Sequence, residues 1–259
     1  MEFFRYRSFT LSLALLCTIL PPLFADNTNN GENILNPITR LDLRVKFQTG
    51  VDKVNADCNL LTVRMDKVMD IRDGWQSSIR VDIPYGWVTH PASQKFDHFG
   101  DVLLQGFIIT PPYDKWTVGA GIQMILPTDG NNLVIGDGKY EMLPSVAVAY
   151  SLDDWSEGSY AGLLVRELWS IGGYRSSPPV RQTRIEPSLN LNLSDGWFVN
   201  LSPEIRYNWV TKKWFVPFDL MIGKMVTDHW ILSVEYDKAI VRKYPEYNQQ
   251  VEFRVGYFF

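Results

Sequence analysis

Charged side chains of both signs recur at every second position along several stretches of this 259-residue chain. In the first stretch, Arg40, Asp42 and Arg44 are separated by leucines. Successive side chains of a strand point to opposite faces, so this spacing predicts a face lined with carboxylates and cations. Such groups can pair with one another or select small charged solutes. The candidates are Arg40, Asp42, Arg44, Lys46, Arg64, Asp66, Arg80, Asp82, Arg184, Glu186, Glu204, Arg206, Glu235, Glu252 and Arg254.

Other kinds of chemistry have weaker support in the sequence. The three histidines, His90, His98 and His229, are too scattered for a zinc site, and we expect no metal and no cofactor. No histidine lies within a predicted strand at the depth of a serine, which argues against Ser–His catalysis and against an enzyme. The formal net charge is −4 and no basic stripe is present, so nucleic acid is not an expected partner.

The elements that would position these side chains are β-strands. Ile79, Val81 and Ile83 alternate with polar residues, and period-two patterns of this kind cover twelve segments. The segments lie near 40–48, 59–71, 75–87, 101–110, 116–127, 139–152, 159–171, 183–193, 197–209, 214–226, 230–237 and 250–259. No run of about 18 apolar residues follows residue 25, so no transmembrane helix is expected. The pattern predicts an all-β fold, a transmembrane antiparallel up-and-down β-barrel of about twelve strands.

Three charges interrupt the apolar side of this pattern. They are Lys67, Lys224 and one of the neighbours Arg166 and Glu167, between which the sequence leaves the choice open. A charge on the lipid face costs about 2–4 kcal/mol at mid-membrane and little at the interface. We therefore expect Lys67 and Lys224 to lie near strand ends.

Tryptophans mark both ends of the predicted strands. Short turns that contain aspartate precede predicted strands opening at Trp75, Trp116, Trp155, Trp197 and Trp230. Near the opposite strand ends lie Trp87, Trp169, Trp209 and Trp214. Indole rings prefer the headgroup depth of a membrane, so the two sets predict girdles at both membrane interfaces. Long connections rich in Gly, Pro and Asn lie opposite the short turns, the asymmetry of an outer-membrane barrel.

The two termini predict export and assembly. Arg5 and Arg7 precede an apolar stretch, and cleavage after Ala25 would remove a signal peptide. The expected organisation is a signal peptide at 1–25, an N-terminal periplasmic segment at 26–37 that acts as a plug or a tail, and a barrel at 38–259. Alternate apolar residues reach the last position, including Phe253, Tyr257 and Phe259. This ending resembles the signal that outer-membrane proteins present to the barrel-assembly machinery.

Several motifs together resemble the outer-membrane transporter family named for the meta-pathway of phenol degradation. They are Asn36-Pro37, Phe47-Gln48, Asp73-Gly74-Trp75, Arg80 with Pro84, Phe99-Gly100-Asp101, Gly121, Leu126-Pro127-Thr128, Gly136 to Lys139, Pro144, Trp169-Ser170, Gln182-Thr183, Pro187, Asp195-Gly196-Trp197, Trp214 and Pro217. The resemblance covers nearly all of the chain after residue 25. It implies a barrel in the bacterial outer membrane, in contact with its lipids and lipopolysaccharide, that moves small solutes, hydrophobic or aromatic compounds among them. The chain departs from the family at Tyr140, where a Trp is expected, and in the segment 26–35, which has no counterpart.

The lumen decides among the functions that such a barrel could have. Twelve tilted strands give a backbone diameter of roughly 24 Å and an opening of about 10–14 Å if nothing fills it. The sequence favours a channel or transporter for small solutes, in which the inward charges form a selective constriction. The same charges could instead pair and fill the lumen, which leaves a non-conducting structural or adhesin-like barrel as the alternative. An outer-membrane lipid hydrolase is the third and weakest reading.

Overall fold

A computed structural model describes residues 28–51, 56–89, 95–128, 136, 138–243 and 246–259. The proposed signal peptide and His90 lie outside the described residues. The strands are β1 Arg40–Val51, β2 Ala56–Arg72, β3 Trp75–Thr89, β4 Lys95–Phe99, β5 Val102–Ile109, β6 Trp116–Leu126, β7 Lys139–Ser151, β8 Tyr160–Gly173, β9 Arg181–Asn192, β10 Trp197–Leu201, β11 Ile205–Asn208, β12 Lys213–Met225, β13 Trp230–Arg242 and β14 Gln249–Phe258. Within this part of the chain the single helical element is a short 3-10 turn at Ser194–Gly196.

These segments form one closed antiparallel barrel of twelve strands, which confirms the predicted fold. β4 and β5 both pair with β3 and act as one strand, and β10 and β11 both lie between β9 and β12. The first and last strands close the cylinder, with Arg40 opposite Phe258 and Thr49 opposite Gln249. Closure gives each of the twelve strands a neighbour on both sides, as a strand in lipid requires, although the short β4 by itself pairs only with β3.

Sharp turns connect strands at one end of the barrel. In the β2–β3 turn, Asp73 and Gly74 both have positive φ, 52° and 81°, as the tightest hairpins require. Asp114 and Asp195 adopt the same left-handed conformation at φ 54° and 57°. Aspartate tolerates this region better than most side chains, which explains its place in these turns.

The prediction that Trp155 opens a strand is wrong. It does not open a strand, because β8 begins only at Tyr160, and its side chain is 78% exposed within the turn between β7 and β8. The Asp154-Trp155 pair resembles the other turns in sequence, but here the chain makes a longer connection that contains Gly158 at φ 75°.

Several strands extend further than the alternation predicted. The β2–β3 hairpin pairs from Arg72↔Trp75 to Asp57↔Thr89, and β13 continues to Arg242. Long hairpins can continue pairing beyond the membrane, where lipid no longer requires an apolar outer face. The period-two pattern therefore understates the length of the wall.

Side chains are distributed inside-out relative to a soluble protein. Leu43, Ile79, Val146 and Phe218 lie exposed on the outer surface, whereas Asp42, Arg254 and many Asn and Gln side chains are buried within. An exterior this apolar would be unstable in water and is stable in a hydrocarbon layer. No helix among the described residues is long and apolar enough to cross a membrane.

Candidate functional site

The closure seam carries a continuous network of ion pairs inside the barrel. Arg40 donates to Asp66 at 2.6 Å, and Arg44 donates to Glu252 at 3.0 Å across the β1–β14 seam. Lys46 lies 3.1 Å from the same Glu252 carboxylate. Arg254 reaches back to Asp42, with Nε–Oδ2 at 3.0 Å. The neighbouring positions of the first and last strands therefore place opposite charges together.

The network continues onto β2 and β3. Arg64 makes a two-pronged contact with Asp82, at 2.8 and 2.7 Å, and Arg80 donates to Asp66 at 2.7 Å. Asp66 thus accepts from arginines on both neighbouring strands. Planar guanidinium groups suit such bridging because several N–H donors diverge from one plane.

A second group of charges lies on the wall formed by β8 to β11. Arg166 Nη1 lies 2.8 Å from Glu186 and 2.9 Å from Glu204. Arg206 and Arg184 approach the same Glu204 carboxylate at 2.7 and 3.6 Å. The sequence left open which of Arg166 and Glu167 lies on the outer face. Arg166 faces the lumen, and Glu167 faces outward beside Thr183.

The structure places all fifteen candidate charges on the inner side of the wall, and fourteen of them lie in these two ion-paired groups. Glu235 is the exception, and it meets Asp219 and Asp237 instead. Sequence reasoning missed both aspartates, although they share the inward parity of their strands. It also missed Glu32, which carries no strand signal because it precedes β1.

The segment 28–39 enters the lumen from the end with the sharp turns. Asn30 donates to Asn190 at 2.8 Å, and Glu32 forms an ion pair with Arg254. Leu35, only 4% exposed, packs in an apolar cluster with inward residues of β5, β7 and β8. A Cβ on Gly119 would lie 2.6 Å from the Leu35 side chain, so a residue without one makes room for it.

Glu32 is the electrostatic anchor of this segment. Burial would raise the pKa of its carboxyl, but Arg254, Arg44 and Arg40 outweigh burial and lower that pKa below its usual value. The carboxylate therefore stays ionised and bound to the seam arginines. Arg40 adds a hydrogen bond of 2.7 Å to the Gly31 carbonyl, which fixes the adjoining backbone.

The connection after β13 narrows the opposite end. Glu246 lies 2.6 Å from Arg206, and the buried Tyr247 packs edge-on against Phe215 with ring centroids 5.0 Å apart. Between this connection and the N-terminal segment remains a cavity of about 260 Å³ with a lining rich in charged side chains. The lumen is thus neither an open tube nor completely filled.

Aromatic side chains lie near both rims of the wall. At the turn end, Trp116 and Trp230 are half-exposed and contact Tyr150 and Tyr257. Trp75 and Trp197 open β3 and β10 at the same end, and Lys224 lies 5.1 Å from the Trp197 ring centroid. Trp209 and Trp214 flank Tyr207 at the other end, where Trp87 and Trp169 also lie. In β14 and just beyond it, Phe253, Tyr257 and Phe259 all face outward.

A closed twelve-strand barrel with an apolar exterior, aromatic rims and a charged lumen has the architecture of outer-membrane β-barrels. The chain is similar to the COG4313 outer membrane channel from Pseudomonas putida F1, with 15% identity, TM-score 0.70, and coverage of 89% of this chain and 98% of that one. It also resembles the NanC porin, at 14% identity, TM-score 0.58, and coverage of 85% and 98%. The KdgM porin follows at 8% identity, TM-score 0.54, and coverage of 85% and 99%.

No protein-family model and no curated protein sequence matches the chain. At these identities the solved structures show the fold alone. The resemblance to the family named for phenol degradation therefore stays a prediction.

Proposed function

We propose that this protein is a channel of the bacterial outer membrane for small polar solutes, closed at one end by its own N-terminal segment. The observation that carries the proposal is the charged central cavity between segment 28–39 and the connection after β13. A barrel that served only as a membrane anchor would not need this cavity.

The lining favours polar solutes over the hydrophobic or aromatic compounds implied by the family resemblance. The cavity wall contains many arginine and carboxylate side chains. Among them are Arg64, Arg80, Arg206, Glu186 and Glu204. An apolar solute would have to displace water from these groups without replacing its hydrogen bonds, which is unfavourable. A polar solute can exchange those hydrogen bonds one for one.

The contacts of segment 28–39 are suited to reversible closure. It is held by the ion pairs of Glu32 with Arg254 and, at 3.9 Å, with Arg44, by a few hydrogen bonds and by the burial of Leu35, and its described part adds no strand to the wall. Such a segment can leave the lumen while the barrel stays folded, because the twelve strands satisfy one another without it. We therefore propose that conduction requires its displacement.

Single-channel recording in planar lipid bilayers tests the proposal. The mature chain is compared with a variant lacking residues 28–35, after both show the heat-modifiable gel mobility of a folded barrel. We expect rare openings of the intact chain and sustained conductance of the shortened one. The conductance of Glu32→Gln should lie between those of the two chains. Its open time should be about tenfold longer than that of the intact chain if the ion pair contributes about 1.4 kcal/mol.

Asp154→Asn is the matched control for Glu32→Gln. Asp154 also pairs with a cation, Lys115, but in an exposed turn outside the lumen, so its loss should leave the open time unchanged. Equal effects of the two substitutions would contradict a specific role for Glu32.

The second candidate is a non-conducting structural or adhesin-like barrel. The ion pairs that join neighbouring strands on the inner wall, such as Arg166 with Glu186 and Glu204, favour this second candidate because they hold the charged side chains in fixed positions. If the folded variant lacking 28–35 passes no current, the ladder of charges blocks the lumen by itself. That result would overturn the channel and favour the structural barrel.

Assembly of the barrel is a further part of the proposal. Phe253, Tyr257 and Phe259 present an apolar outer face at the closing strand, where the barrel-assembly machinery would bind, and lipid and lipopolysaccharide would surround the folded wall. Removal of Phe259 should lower the yield of folded barrel in outer membranes of cells without changing refolding in detergent.

A further inference from the structure

Three carboxylates that belong to neither ion-paired group meet on the inner wall at β12 and β13. Asp219 lies directly opposite Asp237 in the strand pairing, and Glu235 is two residues from Asp237 on the same face. One oxygen from each of the three lies within 4.8 Å of the others. Like charges placed directly opposite each other in a sheet destabilise it, so this arrangement needs a compensating partner.

No cation among the described residues pairs directly with these carboxylates, and Asp219 and Asp237 contact each other instead. Eight other lumen carboxylates each have an arginine or lysine within 4.0 Å: Glu32, Asp42, Asp66, Asp82, Glu186, Glu204, Glu246 and Glu252. Among the described residues, no basic group comes within that distance of Asp219, Glu235 or Asp237. Lys46, on the neighbouring part of the wall, is bound to Glu252.

One oxygen atom of this group is buried and has no hydrogen-bond partner within the described part of the chain. Asp219 is only 6% exposed, and its Oδ1 is buried without a hydrogen-bond partner among the described atoms. A buried carboxylate oxygen left in that condition costs several kcal/mol unless a cation or a proton compensates it. Asp237, by contrast, accepts a hydrogen bond from the Gln250 amide through Oδ2.

We propose that Asp219, Glu235 and Asp237 bind a calcium ion inside the barrel. Carboxylate oxygens are the ligands that hard divalent cations prefer, and Ca²⁺ at about 2.3–2.6 Å from each ligand allows the oxygens to lie up to about 5 Å apart. All three residues line the central cavity, so the ion can reach them and water can complete its coordination. The ion joins β12 to β13 at the point where repulsion would otherwise separate them.

Calcium titration of the refolded mature protein in detergent free of lipopolysaccharide tests the site. We expect isothermal titration to detect one Ca²⁺ per chain, and calcium to raise the midpoint of thermal unfolding. Asp219→Asn should weaken binding by about tenfold or more, because one charged ligand is lost. In a chelator the same variant should be at least as stable as the wild type, since the repulsion is reduced.

Asp154→Asn is the control, since it neutralises a carboxylate that is paired with Lys115 in an exposed turn outside the lumen. This variant should bind calcium like the wild type. If Asp219→Asn does not refold, Glu235→Gln replaces it in the same titration. Absence of calcium binding by the folded wild type, or equal binding by the triad variants, would overturn the site and favour carboxylates that share protons. Binding is measured without current, so a failure of the channel proposal would not affect this result.

Discussion

Charged residues on the two sides of the wall differ in how much stability their removal should cost. Arg166 is 12% exposed and serves two carboxylates, whereas Arg181 is 57% exposed and lies 3.7 Å from Glu167 on the outer side. Removal of one partner from a buried pair leaves an uncompensated charge, but an exposed pair exchanges its contact for water.

Arg166→Met should therefore destabilise the barrel by about 2 kcal/mol, because Glu186 loses its arginine partner and water in the cavity replaces it only in part. Urea unfolding in detergent micelles, followed by β-sheet circular dichroism, measures the free energy of unfolding. Arg181→Met is the control and should cost less than about 1 kcal/mol.

The double variant Arg166→Met with Glu186→Met tests the cause. If the stranded carboxylate is responsible, removing it should recover most of the lost stability. An unchanged deficit would show instead that Arg166 acts through packing.

At the scale of elements, the turns determine where each hairpin folds back. Gly74 has φ 81°, and a Cβ there would also lie 3.3 Å from Pro111 on the neighbouring connection. A side chain in the left-handed region costs about 1–2 kcal/mol.

Gly74→Ala should accordingly lower the free energy of unfolding by about 1–2 kcal/mol and leave the lumen unchanged. Gly106→Ala provides the matched control, because a Cβ at Gly106 meets no atom within 4 Å. Refolding into liposomes, followed by gel mobility, measures the folded fraction of both variants. Equal stability of the two would contradict the role assigned to the turn conformation.

At the scale of the whole molecule, the surroundings of each face of the wall determine which side chains are stable there, more than local strand propensity does. Val146 lies near the middle of β7 and is 59% exposed on the outer surface. If lipid covers that surface, a charge there must be buried in hydrocarbon.

Val146→Arg should cost about 2–4 kcal/mol in liposomes. Tyr113→Arg, in a turn at the rim where the side chain is 85% exposed, should cost little by comparison. If Val146→Arg is as stable as the wild type in lipid bilayers, the assignment of this surface to lipid is wrong.

The sequence by itself determined the wall. A strand has a side-chain period of two, so alternation such as that of Ile79, Val81 and Ile83 specifies which face meets lipid wherever one face is apolar. The same reasoning located most turns from their aspartates and placed tryptophans near both rims. It failed at Trp155, because Asp-Trp alone does not determine the length of a connection.

Only the tertiary structure decided what fills the barrel. Glu32 meets Arg254, 222 residues later in the chain, and Asp219 meets Asp237 only because β12 and β13 pair in one particular register. Periodicity reports the face of a strand to which a residue belongs. Contacts inside the lumen depend also on barrel closure, on strand register and on the path of the N-terminal segment. Those quantities arise from the packing of the whole chain, so no local pattern of residues contains them.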